Sequence, residues 1–236
     1  MARTRGRESV QRTKQPRGER AREVFVFTEG EVTEPEFVEW VVANGTHATQ
    51  NHRVQHFIGN AQASGARRKP LPLVRDAVDK LDEVERAARK AGLSPESWNW
   101  PQVWCLFDRD QHQDIPTAFA LARREGVHIA YSHPCFELWR LLHLQNYTST
   151  FGGVCDNVVD RLKNHRKFVE SYGATSSVSP EDAKRIRPGQ LDDGYKKARQ
   201  YAERINAQHR GPDQTRWDPY TDVWRFVEDG LGIVDY

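Results

Sequence analysis

The chain has 236 residues and a formal net charge of +2, and this length suits one substantial domain with an appendage or two small domains. No apolar stretch approaches the roughly 18 residues of a membrane helix, and there is no signal-peptide core, so we expect a cytoplasmic protein rather than a membrane or secreted one. The three cysteines lie far apart without a CxxC pair, which is typical of reduced cytosolic thiols.

The start of the chain differs in composition from the rest. Up to Glu23 there are eight Arg or Lys residues against three Glu, without apolar periodicity. Such a segment buries too little apolar surface to fold by itself. We therefore expect residues 1–22 to form a basic disordered arm, followed by an α/β domain over residues 23–146.

Four short runs of β-branched and aromatic residues alternate with helical patterns along residues 23–146. This alternation predicts a mostly parallel sheet flanked by helices. The predicted strands are Val24–Phe27, Val54–Ile58, Val103–Phe107 and Val127–Tyr131.

Helix-start signals follow the first and fourth predicted strands. Thr33 and Glu36 have the spacing of a capping box. Ser132 and Pro134 have the pattern of an N-cap and a first turn, which predicts a helix over Cys135–Leu144. Two further helices are predicted, one from about Leu73 to Gly92 and one over Ile115–Arg124.

The pattern changes after Asn146. Apolar residues recur at helical spacing through the remaining chain, with no strand-like run between them. The sequence therefore predicts a helical extension over residues 147–236 that packs on the α/β domain, with a loop over Ser171–Gly189.

Acidic residues follow two of the predicted strands. Glu29 comes after the first strand, and Asp108 and Asp110 come after the third. Carboxylates at strand ends are often helix caps or solvated turns, but three of them from two strands can bind Mg²⁺ or Mn²⁺, which prefer oxygen ligands. Glu34 is either an outer-shell metal ligand or a first-turn acid that the helix dipole favours.

The segment after the fourth strand contains His133, Glu137 and His143. Histidines beside a phosphate site can bind phosphate or transfer protons. Alternatively, the apolar residues around them form core and these polar groups are satisfied locally. Cys135 with either histidine could suggest zinc, but no paired cysteine spacing supports such a site.

Basic residues cluster in two places besides the arm. Each cluster could be an ordinary solvated face, but beside an acidic metal site they favour a polyanionic partner such as nucleic acid. The candidate nucleic-acid-binding residues are Arg67, Arg68, Lys69, Lys163, Arg166 and Lys167.

Four phrases of the sequence resemble the RloB family, which includes the AbiLii component of a phage abortive-infection system. They are Glu29–Glu34, Asp108–Asp110, Ser132–Trp139 with His143, and Asp218–Thr221. The resemblance covers most of the chain from Val24 to Leu231 and leaves the basic arm out.

The RloB family is in turn similar to Toprim domains, in which one Glu follows the first strand and an Asp-x-Asp follows the third. Glu29 matches the first position, and Asp108 and Asp110 match the second. Glu137 and His143 are further catalytic candidates, and His133 is a possible outer-shell residue of the metal site. The resemblance implies a Toprim-like fold and a Mg²⁺- or Mn²⁺-dependent nuclease of anti-phage defence. It also implies an AAA- or ABC-type ATPase encoded nearby as a partner. No tyrosine nucleophile is identifiable, which disfavours strand passage.

Several alternatives stay open at this level. Glu29 can be a metal ligand or a general base, the substrate can be DNA or RNA, and the oligomeric state is undetermined. A different class of function is a non-catalytic adaptor that binds an ATPase or nucleic acid through its helical half. Metal-dependent cleavage by the purified protein distinguishes a nuclease from an adaptor.

Overall fold

The computed structural model describes residues 20–110, 112–173 and 178–236. Residues 1–19 of the predicted arm lie outside the described residues. The sequence places the end of the arm at Arg22, whereas Arg22 is the first residue of a strand. Its Nη2 donates a hydrogen bond to the carbonyl oxygen of Gly230 at 2.9 Å, which ties the start of this strand to the C-terminal part of the chain.

Five of the strands form one sheet, in the order β3-β1-β4-β5-β6. The first four of these are parallel to their neighbours and β6 is antiparallel to β5, so the predicted mostly parallel sheet is confirmed. The two remaining strands form a separate antiparallel pair. The strands of the described residues are β1 (Arg22–Thr28), β2 (Thr46–His47), β3 (Val54–Ile58), β4 (Gln102–Asp108), β5 (His128–His133), β6 (Tyr220–Thr221) and β7 (Ile233–Asp235).

Helices flank the sheet on both sides, as predicted. Those of the described residues are α1 (Thr33–Asn44), α2 (Gly65–Arg68), α3 (Pro70–Lys90), α4 (Ile115–Glu125), α5 (Glu137–Leu144), α6 (Cys155–Asn164), α7 (Arg166–Ser171), α8 (Pro180–Ala183), α9 (Tyr195–Asn206) and α10 (Val223–Arg225). A 3-10 turn over Gln214–Arg216 and a π-helical turn over Phe226–Gly230 accompany them. None of the helices in these ranges combines the length and apolar character needed to cross a membrane.

Each face of the sheet has its own apolar core, because successive side chains of a strand point to opposite faces. On β4, Val103, Cys105 and Phe107 pack in the core that α3 and α4 cover. Trp104 and Leu106 pack in the core that α1, α5 and α9 cover. The central strands are therefore buried on both faces, and only their ends are available for a site.

Two predicted helix starts lack the side-chain caps that the sequence suggested. Helix α1 begins at Thr33 as predicted, but without a side-chain cap, because the Glu36 carboxylate accepts a hydrogen bond from the Ile186 backbone N–H at 2.9 Å instead. Ser132 is not an N-cap, since it lies in β5 and its hydroxyl bonds that of Thr221 at 3.0 Å. Helix α5 begins later than predicted, at Glu137.

The prediction that the C-terminal half has no strands is wrong. Tyr220 and Thr221 form β6 and complete the main sheet, where they pair with β5. The Asp222 carboxylate accepts hydrogen bonds from the Tyr131 backbone N–H at 2.7 Å and from the Tyr220 hydroxyl at 2.9 Å. These runs are too short to show strand periodicity, and their pairing partner lies about 90 residues away. Within the predicted loop Ser171–Gly189, α8 forms one short helix.

A fragment ending at Asn146 tests how far the two halves depend on each other. We expect residues 20–146 alone to unfold without a cooperative thermal transition, because the fragment lacks β6 and exposes Trp139, which packs edge-on against Tyr195. Near-ultraviolet circular dichroism and calorimetry, with the 20–236 chain as control, measure this. A sharp transition with native-like aromatic signals from the fragment would show that residues 147–236 are dispensable for folding.

Candidate active site

A cavity of about 420 Å³ lies at the carboxyl ends of β1, β4 and β5. From the end of β1 the chain passes through α1, over one face of the sheet, to β3. From the end of β4 it passes through α4, over the opposite face, to β5, which lies on the other side of the β1–β4 pair. Such a switch point between neighbouring strands is where open α/β sheets bind ligands. The acidic residues that line the cavity are Glu29, Glu31, Glu34, Asp108, Asp110 and Glu137.

Glu29 follows β1 directly and is held by both of its carboxylate oxygens. Oε2 accepts a hydrogen bond from the Asp108 backbone N–H at 2.9 Å, and Oε1 lies 2.6 Å from Nε2 of His112. Burial raises the pKa of Glu29, with a further contribution from Asp110, although the bonds from Asp108 and His112 oppose that rise. The carboxylate of Glu29 thus has a fixed position between the ends of two adjacent strands.

Glu34 lies in the first turn of α1 and folds back over the end of β1. Its Oε1 accepts a hydrogen bond from the Gly30 N–H at 3.0 Å. A Cβ atom at Gly30 would overlap the Glu34 carboxylate, so this close approach requires glycine. Burial, together with the charges of Glu137 and Glu29, raises the pKa of Glu34 to about 7.

Asp108 ends β4, and the chain turns before Asp110. Asp110 does not continue the strand, since it has a φ of 32° and its N–H donates a hydrogen bond to the carbonyl oxygen of Pro134 at 3.3 Å. Aspartate is among the non-glycine residues that tolerate this left-handed conformation. Burial and the nearby Glu34, Glu29 and Glu137 raise the pKa of Asp108 well above its usual value.

The cavity lining fits a hard divalent cation by the chemistry of its donors. Its oxygens come from carboxyl groups, and burial and neighbouring carboxylates raise the pKa values of Glu34 and Asp108 among them. A bound cation would favour the charged forms of these groups. Glu29, Asp108 and Asp110 are nevertheless not within 4.8 Å of one another as a set. Mg²⁺ usually keeps several waters and takes only one or two carboxylates, so a spread arrangement suits it.

Glu137 is the first residue of α5 and faces two cysteines. Cys135 and Cys155 form a disulfide, so the expectation of reduced thiols is wrong for this pair. They are 20 residues apart, and only the fold brings them together. Cys105 is a free cysteine and buried, as expected for core. Sγ of Cys155 lies 3.8 Å from Oε2 of Glu137.

The two candidate histidines lie elsewhere. His143 is buried between Trp139 and Tyr236, where its Nδ1 bonds the Trp139 carbonyl oxygen at 2.9 Å and its Nε2 lies 3.0 Å from the Tyr236 hydroxyl oxygen. Burial lowers its pKa to about 4. His133 is also buried and does not line the cavity, and burial lowers its pKa. Neither histidine is therefore part of the site that we propose.

Arg68 is not a nucleic-acid-binding residue in this structure, because it is 6% exposed and fully engaged. Its guanidinium donates hydrogen bonds to the carbonyl oxygens of Thr28, Gly30 and Asn60 at 3.0–3.1 Å, and its Nε lies 3.5 Å from the Glu31 carboxylate. Arg68 therefore braces the turn that presents Glu29. It sits between exposed neighbours in a loop-like run, which gave no sign of burial in the sequence.

The other candidate basic residues remain on the surface. Arg67 pairs with Asp76, Arg166 pairs with Glu170, and Lys163 is 4.0 Å from Asp160. The exposed residues Lys69 and Lys167 are the remaining two of this set. Five of the six predicted basic residues thus lie at the surface, three of them beside a carboxylate.

Two residues of the site were missed at the sequence level. His112 follows Asp110 by two residues, and this closeness was the available signal. Lys184 is the one cation among the lining residues in the described ranges, and nothing in its local sequence marks it. Buried Arg140 fixes the backbone that carries Lys184. It donates hydrogen bonds to the carbonyl oxygens of the two residues that flank Lys184, Ala183 at 2.6 Å and Arg185 at 2.9 Å.

The family model of RloB-like proteins matches residues 24–229. The chain belongs to the RloB-like family. No curated protein and no solved structure matches this RloB-like chain. Family membership covers both halves of the described structure, including β6 and all six acidic lining residues.

The free energy of unfolding of alanine variants can distinguish the role of buried Arg68 from that of exposed Arg67 in the RloB-like chain. Arg68→Ala is expected to lower the free energy of unfolding by about 2–4 kcal/mol, because it removes several buried hydrogen bonds from a charged donor at once. Arg67→Ala, its exposed neighbour, is the matched control and should change little. Urea unfolding of both variants measures the difference, and equal stabilities would show that Arg68 does not brace the turn.

Glu34 predicts a pH dependence of stability in the metal-free protein. Because its pKa is raised in the folded state, the folded protein binds more protons than the unfolded chain between pH 4.5 and about 7, and stability falls across that window as pH rises. Glu34→Gln should remove this fall and gain up to about 3 kcal/mol above pH 7, since one pKa unit corresponds to about 1.4 kcal/mol. The measurement is urea unfolding with a chelator at several pH values, with exposed Glu39→Gln as control. A gain that is the same at pH 4 and pH 8 would contradict the raised pKa.

Proposed function

We propose that this RloB-like protein is a Mg²⁺- or Mn²⁺-dependent nuclease that hydrolyses phosphodiester bonds in DNA or RNA. The observation that supports this most is the meeting of Glu29, Asp108 and Asp110 in one cavity at the switch point between β1 and β4. These are the positions at which the Toprim resemblance implies metal-binding carboxylates. Other acidic cavities of α/β sheets also bind metals, so the experiment must measure cleavage.

In this proposal Asp108, Asp110 and Glu29 hold the cation, and Glu34 supports them from the first turn of α1. A bound divalent cation supplies Lewis-acid polarisation of a phosphate group and stabilises charge that develops during phosphoryl transfer. The raised pKa values of Asp108 and Glu34 agree with a site whose negative charge is balanced only when a cation is present.

The residues of the chain itself contribute positioning and proton transfer. Glu29 keeps its orientation because Asp108 N–H and His112 engage one oxygen each, and each of those oxygens retains a free lone pair. Glu29 can therefore bind the cation or accept a proton from water, and His112 at 2.6 Å is placed to share that proton. Both roles use the same geometry.

Lys184 gives the acidic cavity a contact for an anionic substrate. Its backbone is fixed by Arg140 on one side of the loop and by the Glu36 bond to Ile186 on the other. An ammonium group beside carboxylates and a cation is suited to a phosphate oxygen. Exposed Lys69 and Lys167 would add affinity through backbone phosphates without reading bases.

The biological setting belongs to the same proposal. The RloB-like family is the basis for placing the activity in anti-phage defence, in which an AAA- or ABC-type ATPase encoded nearby acts as partner. An adaptor role is the outcome that remains if the purified protein binds its partner or nucleic acid but never cleaves.

Asp108→Asn is the sharpest test of catalysis. It should reduce metal-dependent cleavage by about 100-fold or more, since even changes outside the ligand set of a metal site cost about 10–100-fold. Stability should stay equal or rise in the metal-free protein, because the change removes one of several repelling carboxylates. Cleavage of mixed DNA and RNA with Mg²⁺, Mn²⁺ or chelator, alone and with the neighbouring ATPase, is the measurement.

Asp82→Asn, on the exposed side of α3, is the matched control and should retain full activity. Equal cleavage by the two variants would assign the activity to another site or to a contaminant. A wild-type protein that never cleaves under any of these conditions would favour the adaptor.

A further inference from the structure

We propose that Cys135, Cys155 and Glu137, once the disulfide is reduced, form a binding site for a thiophilic divalent cation such as Zn²⁺. Among the described residues, these three are the group whose potential ligand atoms all lie within 4.8 Å of one another. The site adjoins the acidic cavity but differs from it in donor chemistry. Its existence does not depend on the proposed nuclease activity.

The backbone geometry suits both a disulfide and a shared metal ion. The Cα atoms of Cys135 and Cys155 are 5.5 Å apart. In a tetrahedral zinc site with Zn–S distances of about 2.3 Å, the two sulfurs are roughly 3.8 Å apart, close to the contact distance of two reduced sulfurs. Reduction followed by binding therefore requires side-chain rotation and little movement of the backbone.

The donor atoms of Cys135, Cys155 and Glu137 favour a different metal ion from the one that the other lining carboxylates favour. Two thiolates and one carboxylate suit Zn²⁺, whereas the remaining lining carboxylates suit Mg²⁺ or Mn²⁺. Three protein ligands leave one position for water or another ligand, as in zinc sites that are not purely structural.

Glu137 has a carboxylate that is free to bind a cation. Within the described ranges its carboxylate receives no hydrogen bond from an N–H or O–H group and forms no ion pair, and its nearest polar neighbour is Sγ of Cys155 at 3.8 Å. The carboxyl groups of Glu34 and Asp108 lie close enough to Glu137 for their charges to interact with it. A half-buried carboxylate in such surroundings is stabilised by a cation.

The three ligands stand on well-anchored segments. Cys135 follows β5, Glu137 begins α5 and Cys155 begins α6. The loop before Cys155 is fixed by the Asp218 carboxylate, which accepts hydrogen bonds from the Thr150 hydroxyl at 2.6 Å and the Gly153 N–H at 2.8 Å. Preorganised ligands of this kind favour metal affinity.

The disulfide makes the site conditional on redox state. A dithiol reductant transfers two electrons and two protons to the Cys135–Cys155 bond, which becomes two thiols while the reductant becomes its own disulfide. Zinc binding then releases the two thiol protons. The oxidised protein has no thiolate to offer, so it cannot bind the metal here.

The test uses the full chain after reduction with a dithiol and anaerobic removal of the reductant. Titration with Co²⁺ is expected to give a thiolate-to-metal absorption band that saturates at one ion per chain and is displaced by Zn²⁺. Diamide-oxidised protein should give no band. Cys155→Ser should weaken Zn²⁺ binding by about 100-fold or more, whereas Cys105→Ala and Asp108→Asn should keep the band.

A second measurement needs no variant. Zn²⁺ should protect Cys135 and Cys155 of the reduced wild-type protein from iodoacetamide, as mapped by mass spectrometry, while Mg²⁺ should not. Absence of both the band and the protection in reduced protein would overturn the proposal, as would a band that persists in the oxidised protein. A wild-type protein that gives the Co²⁺ band but never cleaves DNA or RNA would contradict the nuclease proposal alone.

Discussion

The site depends on one constraint, which is that the chain crosses opposite faces of the sheet after β1 and after β4. These strands are neighbours, and their carboxyl ends open a gap that helices cannot fill from either side. Glu29 and Asp108 stand at the two borders of that gap, linked by a hydrogen bond from the Asp108 N–H to the Glu29 carboxylate. Burial, together with the charges of neighbouring carboxylates, raises the pKa values of Asp108 and Glu34 there.

Polar contacts around the acidic cavity keep the lining carboxylates close to one another. Buried Arg68 braces the turn after β1, and buried Arg140 fixes the loop that carries Lys184. Both arginines bond mainly to backbone carbonyl oxygens, and Arg68 also lies 3.5 Å from the carboxylate of the lining residue Glu31. Their main contribution is therefore to fix the backbone around the cavity.

The C-terminal half supplies parts that the α/β half lacks. Strand β6 extends the sheet beside β5, Asp222 accepts the Tyr131 backbone N–H, and Cys155 reaches the cavity from α6. Glu137 and the cysteine pair form a second, softer donor set beside the hard carboxylate set. In our two proposals, one edge of the sheet binds two kinds of metal ion, and the redox state of one disulfide controls the second site.

The sequence by itself determined the parallel sheet, its four main strands, and the placing of Glu29, Asp108 and Asp110 at strand ends, because residue periodicity and turn signals are local. Tertiary structure alone decided that Arg68 is buried, that His143 belongs to the core, that Cys135 pairs with Cys155, and that Lys184 and His112 join the site. It also decided that Tyr220 and Thr221 form a strand. Contacts between residues far apart in the chain leave no periodic signal, since they arise only when separate elements pack together.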